Sequence, residues 1–187
     1  MFYECMIAEK PYLERIERER AYRATKEAGG ETAKGSGENG NGETGEVVTG
    51  ESEGDTDTVT YRRVQGGEGN QSSQQRVIID SEGNVYINQK DKNLNISIDD
   101  GEHSQYYVQN NRPGADIYEF EVPKWFDDMV KENTIPQAGY NNNPLNQGGS
   151  APKLTDPTTP GTCIEFPAPW IEWIEEYATN GRIISGG

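Results

Sequence analysis

Histidine occurs once, as His103, and cysteine twice, as Cys5 and Cys163. One imidazole cannot build a zinc site of several histidines, and no Ser/His/Asp triad is easily assembled around it. Two cysteines so far apart, without a partner motif, give neither a disulfide framework nor a zinc site, so no metal is expected. There is no Walker loop, and no Gly-x-Gly-x-x-Gly run follows a strand. No apolar run approaches the ~20 residues that span a bilayer. The opening residues, MFYECMIAEK, lack the basic start and apolar stretch of a cleaved signal peptide, so any export is expected to use another route. Bases are scarce too: 17 Lys and Arg stand against 32 Asp and Glu, a net charge of -15. Residues 1–58 hold 14 acids and 7 bases, and residues 59–187 hold 18 and 10, so both parts are acidic. That disfavours a duplex nucleic-acid partner, whose phosphates need Lys and Arg, and suits a neutral or basic protein partner better.

Large apolar side chains are unevenly spread. Residues 23–58 carry nine glycines, many acids and almost no large apolar residue beyond Val47 and Val48. Such a stretch cannot bury enough surface to offset chain entropy, which predicts disorder. Upstream, residues 12–26 (YLERIERERAYRATK) read as a short charged helix ended by Gly29-Gly30. The chain therefore divides into a helical segment over 1–26, a Gly/Glu-rich disordered linker over 27–58, and one compact domain over 59–187.

Within that domain, 59–64 has strand-type residues. Residues 76–80 and 85–88, joined by Ser81-Glu82-Gly83-Asn84, read as a β-hairpin. Residues 94–98 (LNISI) alternate with period two, placing Asn95 and Ser97 on one face and Leu94, Ile96 and Ile98 on the other. A helix is expected from Glu102 through Val108, a strand over 115–122, and a helix over 124–130. Residues 134–162 read as loop, 162–166 as a strand, and 169–177 as a short helix carrying Trp170 and Trp173. Strands and short helices in mixed order imply an α+β fold rather than a βαβ winding.

Once the histidine- and metal-based templates are set aside, three features remain: a strand arginine, a strand serine and a late strand glutamate. That order resembles the arginine–serine–glutamate class of mono-ADP-ribosyltransferases. The run LNISIDDGEHSQYYVQNNRPGADIYEFEVPKWFDDMV, followed by IPQAGYNNNPLNQGGSAPKLTDPTTPGTCIEFPAPWIEWIEEY, is similar to the toxin domain of type VI secretion, Rhs-associated effectors that modify elongation factor Tu. The resemblance covers about Val59 to Arg182. It implies an ADP-ribosyltransferase-like split antiparallel β-sandwich and NAD as substrate. It also implies a bacterial target protein, a cognate immunity protein, and delivery into a target bacterium by a dedicated secretion system.

Carried over by position, the resemblance makes Arg62 the arginine that grips NAD phosphates, with Arg63 beside it as the alternative. Strand alternation leads us to expect only one of the two to face the pocket. Ser97 takes the place of the middle-strand serine, and Glu165 that of the carboxylate stabilising positive charge as nicotinamide leaves. Tyr106 and Tyr107 become candidates for stacking on NAD. Asn146, Gln147 and Lys153 fall in a mobile loop expected to meet the target. Many family members carry Gln or Glu two residues before the glutamate, where this chain has Cys163. The side chain modified on the target is thereby left open. His103 reads as a helix-surface residue, Asp127 and Asp128 as first-turn acids that complement a helix dipole. Glu172, Glu175 and Glu176 read as the solvated face of the last helix.

Overall fold

The structure, a computed structural model, describes residues 11–29, 57–68 and 75–186. The chain divides into two compact units, Met1–Ser52 and Glu53–Gly187. In the first, the described part is one helix, α1 (Pro11–Gly29), with Glu14 in its first turn and Lys26 in its last, both complementing the helix dipole. The stretch expected to be a disordered linker lies outside the described residues over 30–56. Residues 27–29, assigned to that linker from composition, are helical.

The second unit is α+β. Its strands are β1 (Thr58–Gly66), β2 (Val77–Ile79), β3 (Val85–Ile87), β4 (Leu94–Ile98), β5 (Ala115–Pro123), β6 (Ile135–Pro136), β7 (Lys153–Thr155), β8 (Thr162–Phe166) and β9 (Thr179–Ile184). Its helices are α2 (Glu102–Asn110), α3 (Lys124–Asn133) and α4 (Trp170–Tyr177). Seven strands form one mixed sheet in the order β6-β7-β8-β4-β1-β5-β9, with only β6 and β7 parallel, while β2 and β3 form a separate hairpin.

β1 is central. It pairs with β5 along its whole length, from Thr58↔Pro123 to Gly66↔Ala115, but with β4 only at Arg62↔Ser97. β4 then pairs fully with β8, from Leu94↔Phe166 to Ile98↔Thr162. Directly opposed residues point to the same side of a sheet, so Arg62, Ser97 and Cys163 share one face. The alternating positions Tyr61, Phe120, Leu94, Ile96 and Phe166 are buried in the core. They are joined there by Phe126, Met129 and Val130 of α3 and by Trp170, Ile171, Ile174 and Tyr177 of α4. Each such side chain contributes about 1.5–3 kcal/mol through burial, so this side holds the domain together.

Asp127 does more than the sequence suggested. It is buried, accepts a hydrogen bond from the Tyr61 hydroxyl at 3.1 Å and pairs with Lys131 Nζ at 2.8 Å. Burial and then Asp127 push the Tyr61 phenol well above its usual range. Burial opposes the charge on Lys131, but hydrogen bonds to Asp127 and Asp99 raise its pKa to about 12.

Candidate functional site

The loose β1–β4 seam opens beside Arg62↔Ser97, and there a cavity of about 340 Å³ forms. Arg62 and Arg63 of β1, Ser97 of β4 and Glu165 of β8 all line it. Three strands that are distant in sequence thus bring the arginine, serine and glutamate candidates to one place, because β8, β4 and β1 are neighbours in the sheet.

Both arginines line the cavity, contrary to the alternation argument. Pairing between β1 and β4 stops at Arg62, which leaves the Asn95 carbonyl available, and Arg63 Nη1 donates to it at 2.8 Å. The two guanidinium groups differ in their partners. Arg62 Nε donates to Glu119 Oε2 at 2.6 Å, and Nη1 to the Asp99 carbonyl at 3.3 Å. Glu119 also holds Arg182. Arg62 lies against Gly101, where φ is +80° and a Cβ would stand 2.6 Å from the guanidinium. Among the described residues Arg63 has no carboxylate partner, and its buried Nε has no hydrogen bond. Burial and then the Arg76 charge weaken its hold on its proton.

Two further arginines, not picked out from sequence, complete this wall. Arg112, just past the end of α2, is 6% exposed, and its buried Nη1 has no partner among the described residues. Arg76 is also buried, yet each of its three guanidinium nitrogens is engaged. It donates to the carbonyls of Asn88, Gln89, Lys92 and Asn93 at 2.7–3.0 Å. An acidic chain therefore carries a cavity with four guanidinium groups in its lining, two of them with buried nitrogens lacking acceptors. Leaving such donors unsatisfied costs free energy that a bound anion would recover.

Glu165 is steadied from two sides. Asn93 Nδ2 donates to its Oε1 at 2.9 Å, and Lys153 Nζ lies 3.8 Å from the same oxygen. Lys153 is the residue most displaced from expectation. It lies in β7, only 4% exposed, with its ammonium 5.1 Å from the centre of the Tyr140 ring. A lysine turned inward onto the candidate carboxylate cannot also reach a target as part of an open loop. Asn146 is tied into its own loop, donating to the Tyr140 carbonyl at 2.9 Å and accepting from the Ala151 amide at 3.3 Å. Gln147 opens a 3₁₀ turn over 147–149, and Leu145, 66% exposed, is an apolar side chain this loop offers to solvent.

His103 is not on the surface. It is 5% exposed, lines the cavity, and its Nδ1 lies 2.8 Å from Ser97 Oγ. The ring stacks on Tyr107, also in the lining, at 5.9 Å between centroids. Tyr106, one position along α2, is absent from the lining. Gly161, at φ +73°, lets the approach to β8 touch the first turn of α2, since a Cβ there would collide with the His103 backbone nitrogen. Cys163 is buried, and burial pushes its thiol up to about 11. Glu175, expected on a solvated face, instead accepts from the Ile87 amide at 2.5 Å and pairs with Lys90.

Among the described residues no group of three or more His, Cys, Asp and Glu is placed to hold a metal ion, and no helix is long and apolar enough to cross a membrane. The chain matches no family model, no curated protein and no solved structure.

Proposed function

We propose that this domain is a mono-ADP-ribosyltransferase toxin of the ADP-ribosyltransferase-like fold, taking ADP-ribose from NAD and placing it on a bacterial protein. The observation that carries the reading is the convergence of Arg62, Arg63, Ser97 and Glu165 on one cavity whose cationic wall has unfilled donors. NAD brings a diphosphate, which suits buried guanidinium nitrogens without carboxylate partners. In this reading Arg63, with Arg112, holds the diphosphate. Arg62, paired with Glu119, braces the β1–β5 side of the cleft.

The chemistry asks little more of the chain. The bond between ribose C1′ and the nicotinamide nitrogen breaks, and its electron pair leaves with nicotinamide. A nucleophile on the target bonds to C1′ and gives up its proton. Glu165, held by Asn93 and Lys153, supplies negative charge where positive charge builds on the ribose. The resemblance of the sequence points to elongation factor Tu as the target, so that modification blocks translation. It also points to delivery by a type VI system and to a cognate immunity protein in the producer.

Incubated with NAD and a bacterial lysate as acceptor, the protein should release nicotinamide above the lysate's own background, and Glu165→Gln should slow that release by about 10²–10³-fold with an unchanged circular dichroism spectrum. Full activity in Glu165→Gln overturns the assignment of the carboxylate. Nicotinamide release at full rate with no protein acceptor identifies a glycohydrolase instead.

A further inference from the structure

The Arg63–Arg112 wall accounts for the anionic part of a ligand but leaves the only histidine of the chain unexplained. His103 sits in the first turn of α2, pressed between Ser97, the Tyr107 ring and the glycine at 161. Its Nδ1 is used, bonding Ser97 Oγ at 2.8 Å. Its Nε2 is buried and has no partner among the described residues, although the residue lines the cavity. A satisfied core histidine has both ring nitrogens paired, and a surface histidine leaves one to water. This one does neither, which is costly unless something else arrives at Nε2.

We propose that His103 is the positioning residue for Ser97 and a polar contact for the cavity's occupant, its Nδ1 fixing the serine hydroxyl and its Nε2 left for an uncharged hydrogen-bonding group of the ligand. The two ends are linked. An uncharged imidazole carries one ring proton, so Nδ1 accepts from the serine hydroxyl when Nε2 is protonated, and donates to it when Nε2 is not. The group bound at Nε2 thereby decides whether the Ser97 hydroxyl donates to His103 or is released to donate elsewhere. Burial lowers the affinity of the ring for a second proton, Asp156 opposing more weakly, which keeps it uncharged near neutrality. The other charged or titratable groups of the lining are Arg62, Arg63, Arg76, Tyr107, Arg112, Cys163 and Glu165. The identity of the ligand rests on the NAD reading above, but the Ser97–His103 coupling does not.

Because the chain has a single histidine, its two imidazole nitrogens can be read without assignment in a ¹⁵N-histidine-labelled full chain. We expect a ring that protonates only below the ordinary value of 6.5 and an Nδ1 resonance that moves in Ser97→Ala. Titration at the ordinary value with an Nδ1 signal indifferent to Ser97→Ala overturns the pairing, whether or not the protein consumes NAD. Two variants then separate the ends in nicotinamide release. H103N keeps a polar atom near the Nδ1 position and should raise KM for NAD roughly 3- to 10-fold, more than it lowers kcat. H103Q keeps one near Nε2 and should lower kcat more than it raises KM. Equal, wild-type kinetics in both variants would overturn the role for His103 while leaving the NAD reading intact.

Discussion

At the base of the β2–β3 hairpin, the guanidinium of Arg76 is enclosed by the carbonyls of Asn88, Gln89, Lys92 and Asn93. On the wall built from β1 and the end of α2, Arg63 and Arg112 also carry buried nitrogens, but Arg63 Nε and Arg112 Nη1 meet no acceptor among the described residues. The first arrangement engages all three guanidinium nitrogens with the chain's own loop, so removing the side chain strands several carbonyls. The second holds donors back in a cavity, so removing a side chain takes away a repulsive, incompletely satisfied cation. Both regions line one cavity and use one residue type, yet one is satisfied by the chain itself and the other, in the reading proposed above, is kept for a ligand.

The largest test of that contrast is Arg76→Ala. Four carbonyls lose their donor, and we expect stability to fall by on the order of 3–5 kcal/mol, seen as an earlier denaturant midpoint. Next, Arg63→Ala and Arg112→Ala should each weaken NAD binding roughly 10- to 100-fold by calorimetry while leaving the melting temperature unchanged or higher. A loss of stability in these two as large as in Arg76→Ala would erase the distinction. The smallest effect comes from pH. The folded-state pKa of His103 is lowered, mainly by burial, so the unfolded chain takes up the proton first as pH falls. The contribution of His103 to stability is therefore present above the ordinary value of 6.5 and lost as pH falls through the lower folded value. Comparing the pH dependence of the midpoint in wild type and H103N over this window isolates that term.

Much of the sheet that carries the site could be read from period and composition. The alternation of residues 94–98, the run at 59–64 and the short apolar stretch at 162–166 mark the three strands whose residues line the cavity. They place Ser97 and Glu165 without further help. β6, β7 and β9 were missed because their pairing is tertiary. The two residues of β6 and three of β7 carry no period, and β9 is fixed by its pairing with β5. The same limit applies to His103, Arg112, Arg76 and Asp127. A polar residue in a short amphipathic helix or beside an Arg-Pro-Gly break looks solvated, because its partners, such as Ser97 for His103 and Tyr61 for Asp127, lie on other elements. Lys153 was misplaced for a related reason: in sequence it sits amid Pro, Gly and Asn, but pairing of β7 with β8 turns it onto Glu165.

The central claim is that the cavity at the β1–β4 seam transfers ADP-ribose from NAD to a protein. Incubating the full chain with tagged NAD and a bacterial lysate, beside Glu165→Gln, tests it directly. The account predicts one labelled protein with the wild-type chain, identified by mass spectrometry as elongation factor Tu, and little or no label with the variant. A lysate without label and with its NAD intact would contradict it.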